Sequence, residues 1–226
     1  MLYDRDILGQ WTSGEGIVYS DFDINKNVIT RAKFDELYPK PVQDHVLKYV
    51  AGVDFGFEHK GCIVVIAIDK RKDKYYMVEE ITHKHWQKER WIFEAQKLVN
   101  KYGDIPFYCD YARPEYLAAF QDAGLKAFKA FKSRLYGVEK VGSLIKQVKF
   151  QVIKEAIDYF EKELFAYNWD EKTGEPEKKD GNDDVMDTVR YAIVTYIHLQ
   201  EKRNAINRYE QSYADKAQIM DNLGLI

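Results

Sequence analysis

Asp54, Asp110, Asp183, Asp184 and Asp187 are the residues of this chain whose types and spacing could do chemistry together. Asp54 follows the apolar positions Tyr49, Val50 and Val53. Asp110 follows Ile105, Phe107, Tyr108 and Cys109, so each reads as the last residue of a buried strand. The other three open a long apolar helix, where offsets of three and four residues bring them onto one face. Carboxylates gathered that closely repel one another, and their pKa values rise unless cations compensate them. Oxygen-only ligand sets suit Mg2+ or Mn2+ rather than zinc. Two such ions, roughly 4 Å apart, activate water and stabilise the leaving 3′ oxygen of a phosphodiester.

Each aspartate also has a plain structural reading. Asp54, before Phe55 and Gly56, initiates a turn. Asp110 caps the helix entered through Arg113 and Pro114, and Asp183 caps the last helix, whose dipole favours acids in its first turn. Taken singly, these readings suffice. Taken jointly, they require all these acids to meet at one sheet edge by accident.

The elements that must hold the acids follow from pattern. Residues 49–54, 61–69 and 75–81 are short, β-branched or aromatic runs divided by turn residues, and they read as an antiparallel meander. Trp91, Ile92, Ala95, Leu98, Val99 and Tyr102 recur at helical spacing before Gly103. A buried strand is predicted over 105–110, a helix entered at Pro114 and closed by Gly124, and a strand over 126–132. Helices are predicted over 138–149 and 154–164 with a short extended segment between them, and residues 165–169 could add a strand. A five-turn helix then runs from the aspartate cluster to about residue 203. Three antiparallel strands followed by alternating helices and strands predict an α/β fold of RNase H-like order. Its mixed sheet turns parallel after the meander and is flanked by helices on both faces. Residues 1–48 read as a lead-in with one short strand and a break at Pro39 and Pro41. Residues 49–203 read as the domain, and 204–226 as a helical tail, frayed or separately packed.

Charge is uneven along the chain. The formal net charge is −3, yet residues 126–154 carry eight basic side chains against Glu139 alone, a local excess of +7. Residues 170–184 carry seven acids against three lysines. Basic residues that hold a phosphate backbone beside acids that hold cations suit a phosphodiester substrate, although a charge run by itself is usually a solvated face. Cys62 and Cys109 lack CxxC spacing and read as reduced, buried thiols. His83 and His85 read as a surface pair. No apolar run approaches the roughly 20 residues of a membrane span. The first residues lack the basic and apolar regions of a signal peptide, so an intracellular protein is expected.

At these residues the sequence becomes familiar. AGVDFGFEHKGCIVVIAID, IPFYCDYARPEYLAAF and NDDVMDTVRYAIVTY resemble the three signature stretches of the nuclease domain of phage terminase large subunits, the Bacillus-phage and prophage types most of all. DILGQWTSGEGIVYSDFD resembles the segment that joins their ATPase domain to the nuclease. The stretch between the second and third signatures and the acidic loop before the last helix are similar as well. The resemblance covers nearly the whole chain in the right order. It implies a sequence-tolerant endonuclease that cuts concatemeric viral DNA, with two divalent cations, Mg2+ or Mn2+, in the cytoplasm of a bacterial host. It also implies double-stranded DNA, an ATPase domain, the terminase small subunit and the portal as partners. Carried over, Asp54, Asp110 and Asp187 form the metal-binding triad, with Asp54 as the bridging ligand. Some relatives carry a histidine where this chain has Asp184, which makes Asp184 a fourth catalytic carboxylate and Asp183 a substitute. Lys129, Lys132, Arg134, Lys140, Lys146 and Lys149 are the expected DNA contacts.

The chain holds no G-x-x-x-x-G-K-[ST]. GVEKVGS at residues 137–143 lacks the phosphate-reaching lysine, so no ATPase activity is expected, and the ATPase domain would precede Met1. Three other readings compete. A junction resolvase or transposase core would use Asp54 and Asp110 equally well. A sugar-kinase or actin-like ATPase would use VDFG, but needs a second glycine-rich motif and a duplicated domain. A non-catalytic DNA clamp would use the basic stretch alone.

Overall fold

The computed structural model describes residues 16–39, 46–177 and 183–222, with side chains described to residue 213. The start of the lead-in, the second proline of the expected break, the tip of the acidic loop and the last four residues of the tail lie outside the described residues.

Strands β1 (Val28–Ile29), β2 (Lys48–Asp54), β3 (Gly61–Asp69), β4 (Lys74–His83), β5 (Phe107–Cys109), β6 (Ala127–Lys129) and β7 (Phe150–Ile153) form one sheet in the order β1-β7-β4-β3-β2-β5-β6. β2, β3 and β4 pair antiparallel, and every other pairing is parallel. All nine residues of β3 are buried, which is why this stretch reads as continuously apolar instead of alternating. Among the described residues no helix is long and apolar enough to cross a membrane.

Helices cover both faces. Helix α3 (Lys88–Tyr102) buries Trp91, Ala95 and Leu98 and stops at Gly103, whose φ of 81° suits a residue without a Cβ. Beside it lies α4 (Pro114–Asp122), with Pro114 in its first turn. These helices pack on Ala51, Val53, Ile63 and Val65. Helices α5 (Arg134–Lys146), α6 (Phe160–Ala166) and α7 (Asp184–Asn222) cover the other face, built on Val50, Cys62, Val64, Ile66 and Tyr108. Successive strand residues alternate between these two cores, so Gly52, Asp54 and Asp110 belong to the α7 side by the period of two.

Four segments differ from the sequence expectation. Residues 17–38 are core-forming: the stretch expected as a short strand carries, among the described residues, a bridge at Ile17, and helix α1 (Ile24–Asn27), edge strand β1 and helix α2 (Arg31–Leu37) follow it. Tyr19 and Phe22 enter the α7-side core, while Phe34 and Tyr38 pack against Tyr76 on the other. Buried Asn27 fastens this segment by donating to the Ile145 and Phe150 carbonyls at 3.1 and 2.9 Å. The helix expected over 154–164 starts at Phe160, because Glu80 accepts from the backbone N–H groups of Asp158, Tyr159 and Phe160 and fixes the entry there. Residues 165–169 contribute isolated bridges, Asn168 to Ile17 and Trp169 to Pro176. Finally, the last helix does not stop near residue 203; it continues unbroken to Asn222.

Candidate active site

β2 and β5 are parallel neighbours in register Val53↔Cys109, so the next residues, Asp54 and Asp110, leave the sheet side by side. The amide of Asp110 donates to the Val53 carbonyl at 2.8 Å, which holds the two strand ends together. The first turn of α7 is brought onto this edge by an absence. A Cβ on Gly52 would lie 2.0 Å from the Thr188 carbonyl oxygen and 3.0 Å from the Ala192 nitrogen, so only glycine lets the helix backbone approach the strand. Asp184 and Asp187 thereby reach the side of the sheet that Asp54 faces.

The electrostatics reflect that crowding. Burial, reinforced by the charges of Asp110, Asp187 and Asp184, pushes the Asp54 carboxyl well above the usual carboxylate range. Asp184 is pushed up to about 6 by burial and by its neighbour Asp183. Its Oδ2 is buried with no hydrogen-bond partner among the described residues. The other acids each hold a cation. Asp110 is ion-paired with Lys132, Asp183 with Arg134, and Asp187 with Arg190 at 2.9 Å. The Arg190 side chain is 3% exposed and crosses Gly137, where a Cβ would stand 2.5 Å from its Cδ.

These residues suit a hard divalent cation: the donors are all oxygens, one is buried and unpartnered, and the central carboxyl resists ionisation without compensation. Among the described residues no three acid, histidine or cysteine side chains already stand together as a ligand cage. Asp110 and Asp187 are ion-paired with Lys132 and Arg190.

A second set of residues supports the first turn of α7. Glu163 of α6 is 1% exposed, and its Oε2 accepts from the Val185 and Met186 amides at 2.6 and 3.3 Å. Its Oε1 pairs with Lys60 of the β2–β3 loop at 2.9 Å. Burial pushes the Glu163 carboxyl up to about 7 against the opposing pull of Lys60. A cavity of about 300 Å³ opens beside the aspartates, lined by Asp54, Asp184, residues 55–60 and Arg113. A larger cleft of about 560 Å³, between α2, α3 and β4, contains none of the five aspartates.

The six expected DNA contacts do not form one patch. Lys129 and Lys132 flank the Tyr111 ring next to Asp110. Arg134 is largely buried on Asp183. Lys140 pairs with Glu201, Lys146 lies 3.7 Å from Asp21, and Lys149 pairs with Asp73 at 2.6 Å. Asp73 belongs to the β3–β4 turn, at the end of the sheet away from Asp54. Sequence reasoning missed Gly52, Lys60, Glu163 and Arg190. A glycine inside a strand and an arginine three residues after Asp187 in an apolar helix were readable signals. The Glu163 partnership had none.

The family model described as the terminase RNaseH-like domain matches residues 51–195. Among solved structures, the nuclease domain of the phage P22 large terminase matches with a TM-score of 0.65 at 20% identity, over 80% of this chain and 92% of that one. The large terminase of the thermophilic bacteriophage D6E in complex with ATP-gamma-S matches with a TM-score of 0.66 at 22% identity, over 83% of this chain and 48% of that one. This chain thus spans about half of the D6E protein. The large terminase nuclease domain of bacteriophage SPP1, with bound Mn, matches with a TM-score of 0.57 at 19% identity, over 78% of this chain and 97% of that one. No curated protein gives a significant match. The sheet order and flanking helices described above are those of an RNase H-like fold.

Proposed function

This chain belongs to the terminase RNaseH-like domain family, and from that premise we propose that it is the DNA-cutting domain of a phage large terminase. It acts as a divalent-metal-dependent endonuclease on concatemeric viral DNA during packaging, with little sequence preference. The observation that carries this reading is Asp54, a buried strand-end carboxyl on which the charges of Asp110, Asp187 and Asp184 all act and which is disfavoured as a lone anion. The bound Mn of the SPP1 domain supports the choice of cation.

Asp54, Asp110 and Asp187 would hold two Mg2+ or Mn2+ ions, with Asp184 as a fourth carboxylate and Asp183 retained by Arg134. Bound there, the cations supply charge compensation and Lewis acidity towards water and the phosphodiester. The protein's own part is positional. Gly52 and Glu163 fix the first turn of α7, while Arg190 and Lys132 restrain Asp187 and Asp110. In the overall reaction water adds to phosphorus and the bond to the 3′ oxygen breaks. One water proton ends on that oxygen, leaving a 3′ hydroxyl and a 5′ phosphate. Lys129, beside the Tyr111 ring, is the nearest candidate for the DNA backbone. The ATPase domain, small subunit and portal are partners of the whole motor, which works in the host cytoplasm.

The test is nicking of supercoiled plasmid with Mn2+ or Mg2+, beside Asp54→Ala and Asp187→Ala. The wild-type chain should relax and linearise the plasmid, and both variants should be at least about 100-fold slower while keeping a cooperative thermal transition. A wild-type chain that binds DNA yet nicks nothing with either metal removes the nuclease reading.

A further inference from the structure

Arg113 stands apart from the other cations around the aspartates. Lys132, Arg134 and Arg190 are each ion-paired with one of those acids, and Lys60 with Glu163. The cavity beside Asp54 and Asp184 is lined by one lysine, Lys60, and one arginine, Arg113. Lys60 is held at 2.9 Å by Glu163. Arg113 has no carboxylate within ion-pairing distance among the described residues, although Asp54, Glu58 and Asp184 all line the same cavity. Its guanidinium rests over the Tyr116 ring, 5.6 Å from the centroid, and its N–H donors make no hydrogen bond among the described residues. Proximity to the strand end is fixed as well. Arg113 follows Asp110 by three residues in the turn that enters α4, and the amide of Ala112 donates back to Asp110 Oδ2 at 3.3 Å.

We infer that Arg113 is a catalytic residue whose guanidinium donates hydrogen bonds to the non-bridging oxygens of the scissile phosphodiester, across the cavity from Asp54 and Asp184. This rests on the nuclease reading. A cation already neutralised by a carboxylate has little field left for a substrate, whereas an unpaired guanidinium at the rim of an acidic cavity retains its own. Guanidinium matches phosphate with two parallel donors, and its interaction strengthens as charge builds on those oxygens during attack by water. The identity of the side chain therefore matters beyond its charge. Lysine offers a point charge in place of a fork.

The experiment compares wild type, Asp54→Ala, Arg113→Ala and Arg113→Lys in three measurements: Mn2+-dependent plasmid nicking under single turnover, DNA affinity by anisotropy in EDTA, and thermal midpoint. Arg113→Ala should nick about 100-fold more slowly, with Arg113→Lys intermediate. DNA affinity should stay within about threefold of wild type. Midpoints should stay within about 2 °C, because the substitution gives up little beyond packing on the Tyr116 ring. Nicking by Arg113→Ala at the wild-type rate overturns the assignment. So does a loss of DNA affinity that matches the loss of rate, which makes Arg113 an ordinary backbone contact. In both cases Asp54→Ala remains inactive and the nuclease reading stands. If wild type fails to nick, both readings fall together.

Discussion

A Cβ on Gly52 would lie 2.0 Å from the carbonyl oxygen of Thr188, far inside van der Waals contact, so strand β2 and helix α7 meet backbone to backbone. Asp54 lies two residues beyond Gly52, and Asp187 one residue before Thr188. One close approach thus sets the spacing of both acids.

Gly52→Ala should therefore damage fold and activity together. The obstacle is backbone, which cannot rotate away, so a cost near the upper end of the overpacking range, about 3 kcal/mol, is expected. That lowers the thermal midpoint by about 6–12 °C for a chain of this size. A variant that melts and nicks like wild type would show that the close approach is not needed.

Metal and pH should act on the same carboxylates. Asp184 titrates near 3.8 when unfolded and at about 6 in the fold, and Asp54 is raised in the same direction. Between those values the folded chain binds more protons than the unfolded one, so their contribution to stability falls as pH rises through the window. Removing the charge with Asp184→Asn should leave a variant whose stability relative to wild type grows from about pH 4 to about pH 6 and then levels off, measured without metal by chemical denaturation. A difference that does not change with pH contradicts the assignment. At pH 8, Mn2+ at 100 times its Kd should stabilise wild type by about 2.7 kcal/mol, and Asp54→Asn should lose most of that gain.

Glu163 can be tested by comparing two substitutions. Glu163→Ala removes the acceptor for the Val185 and Met186 amides and leaves Lys60 unpaired, which should cost about 3–5 kcal/mol. Glu163→Gln keeps an acceptor oxygen and should cost about 1–2 kcal/mol. Cleavage should follow the same order, since the first turn of α7 carries Asp184 and Asp187. Equal losses for the two variants would leave the capping role unsupported.

The lysines should separate by position. Lys129→Ala, beside Tyr111 and Asp110, should reduce the slope of log affinity against log salt by about 0.9. Lys149→Ala, paired with Asp73 at the far end of the sheet, should leave the slope unchanged. A common effect of the two would restore a single basic surface.

The aspartates could be read from the sequence because strand ends and helix starts leave local signatures. Asp54 and Asp110 follow buried runs, and the last cluster precedes an apolar helix. The antiparallel meander and the parallel strands after it followed from element order, whereas edge strand β1 did not. Tertiary partnerships were less legible. Glu163 sits in a short helix among Glu161 and Lys162 and looks solvent-facing, yet its partners are 22 residues later and in an earlier loop. Residues 17–38 read as a lead-in because their aromatic side chains divide between two cores and produce no single periodicity. The basic run of 126–154 looked continuous, but β6, α5 and β7 carry its members in different directions.

Helix α7 spans Asp184–Asn222 without glycine or proline, a rod of about 58 Å at the usual rise. Asp184 and Asp187 are at one end, while Ile206, Tyr209 and Tyr213 stand exposed towards the other. The first turn that carries the two acids and the exposed outer half thus belong to one unbroken run of helical hydrogen bonds, seated near its inner end by the contact of Thr188 on Gly52.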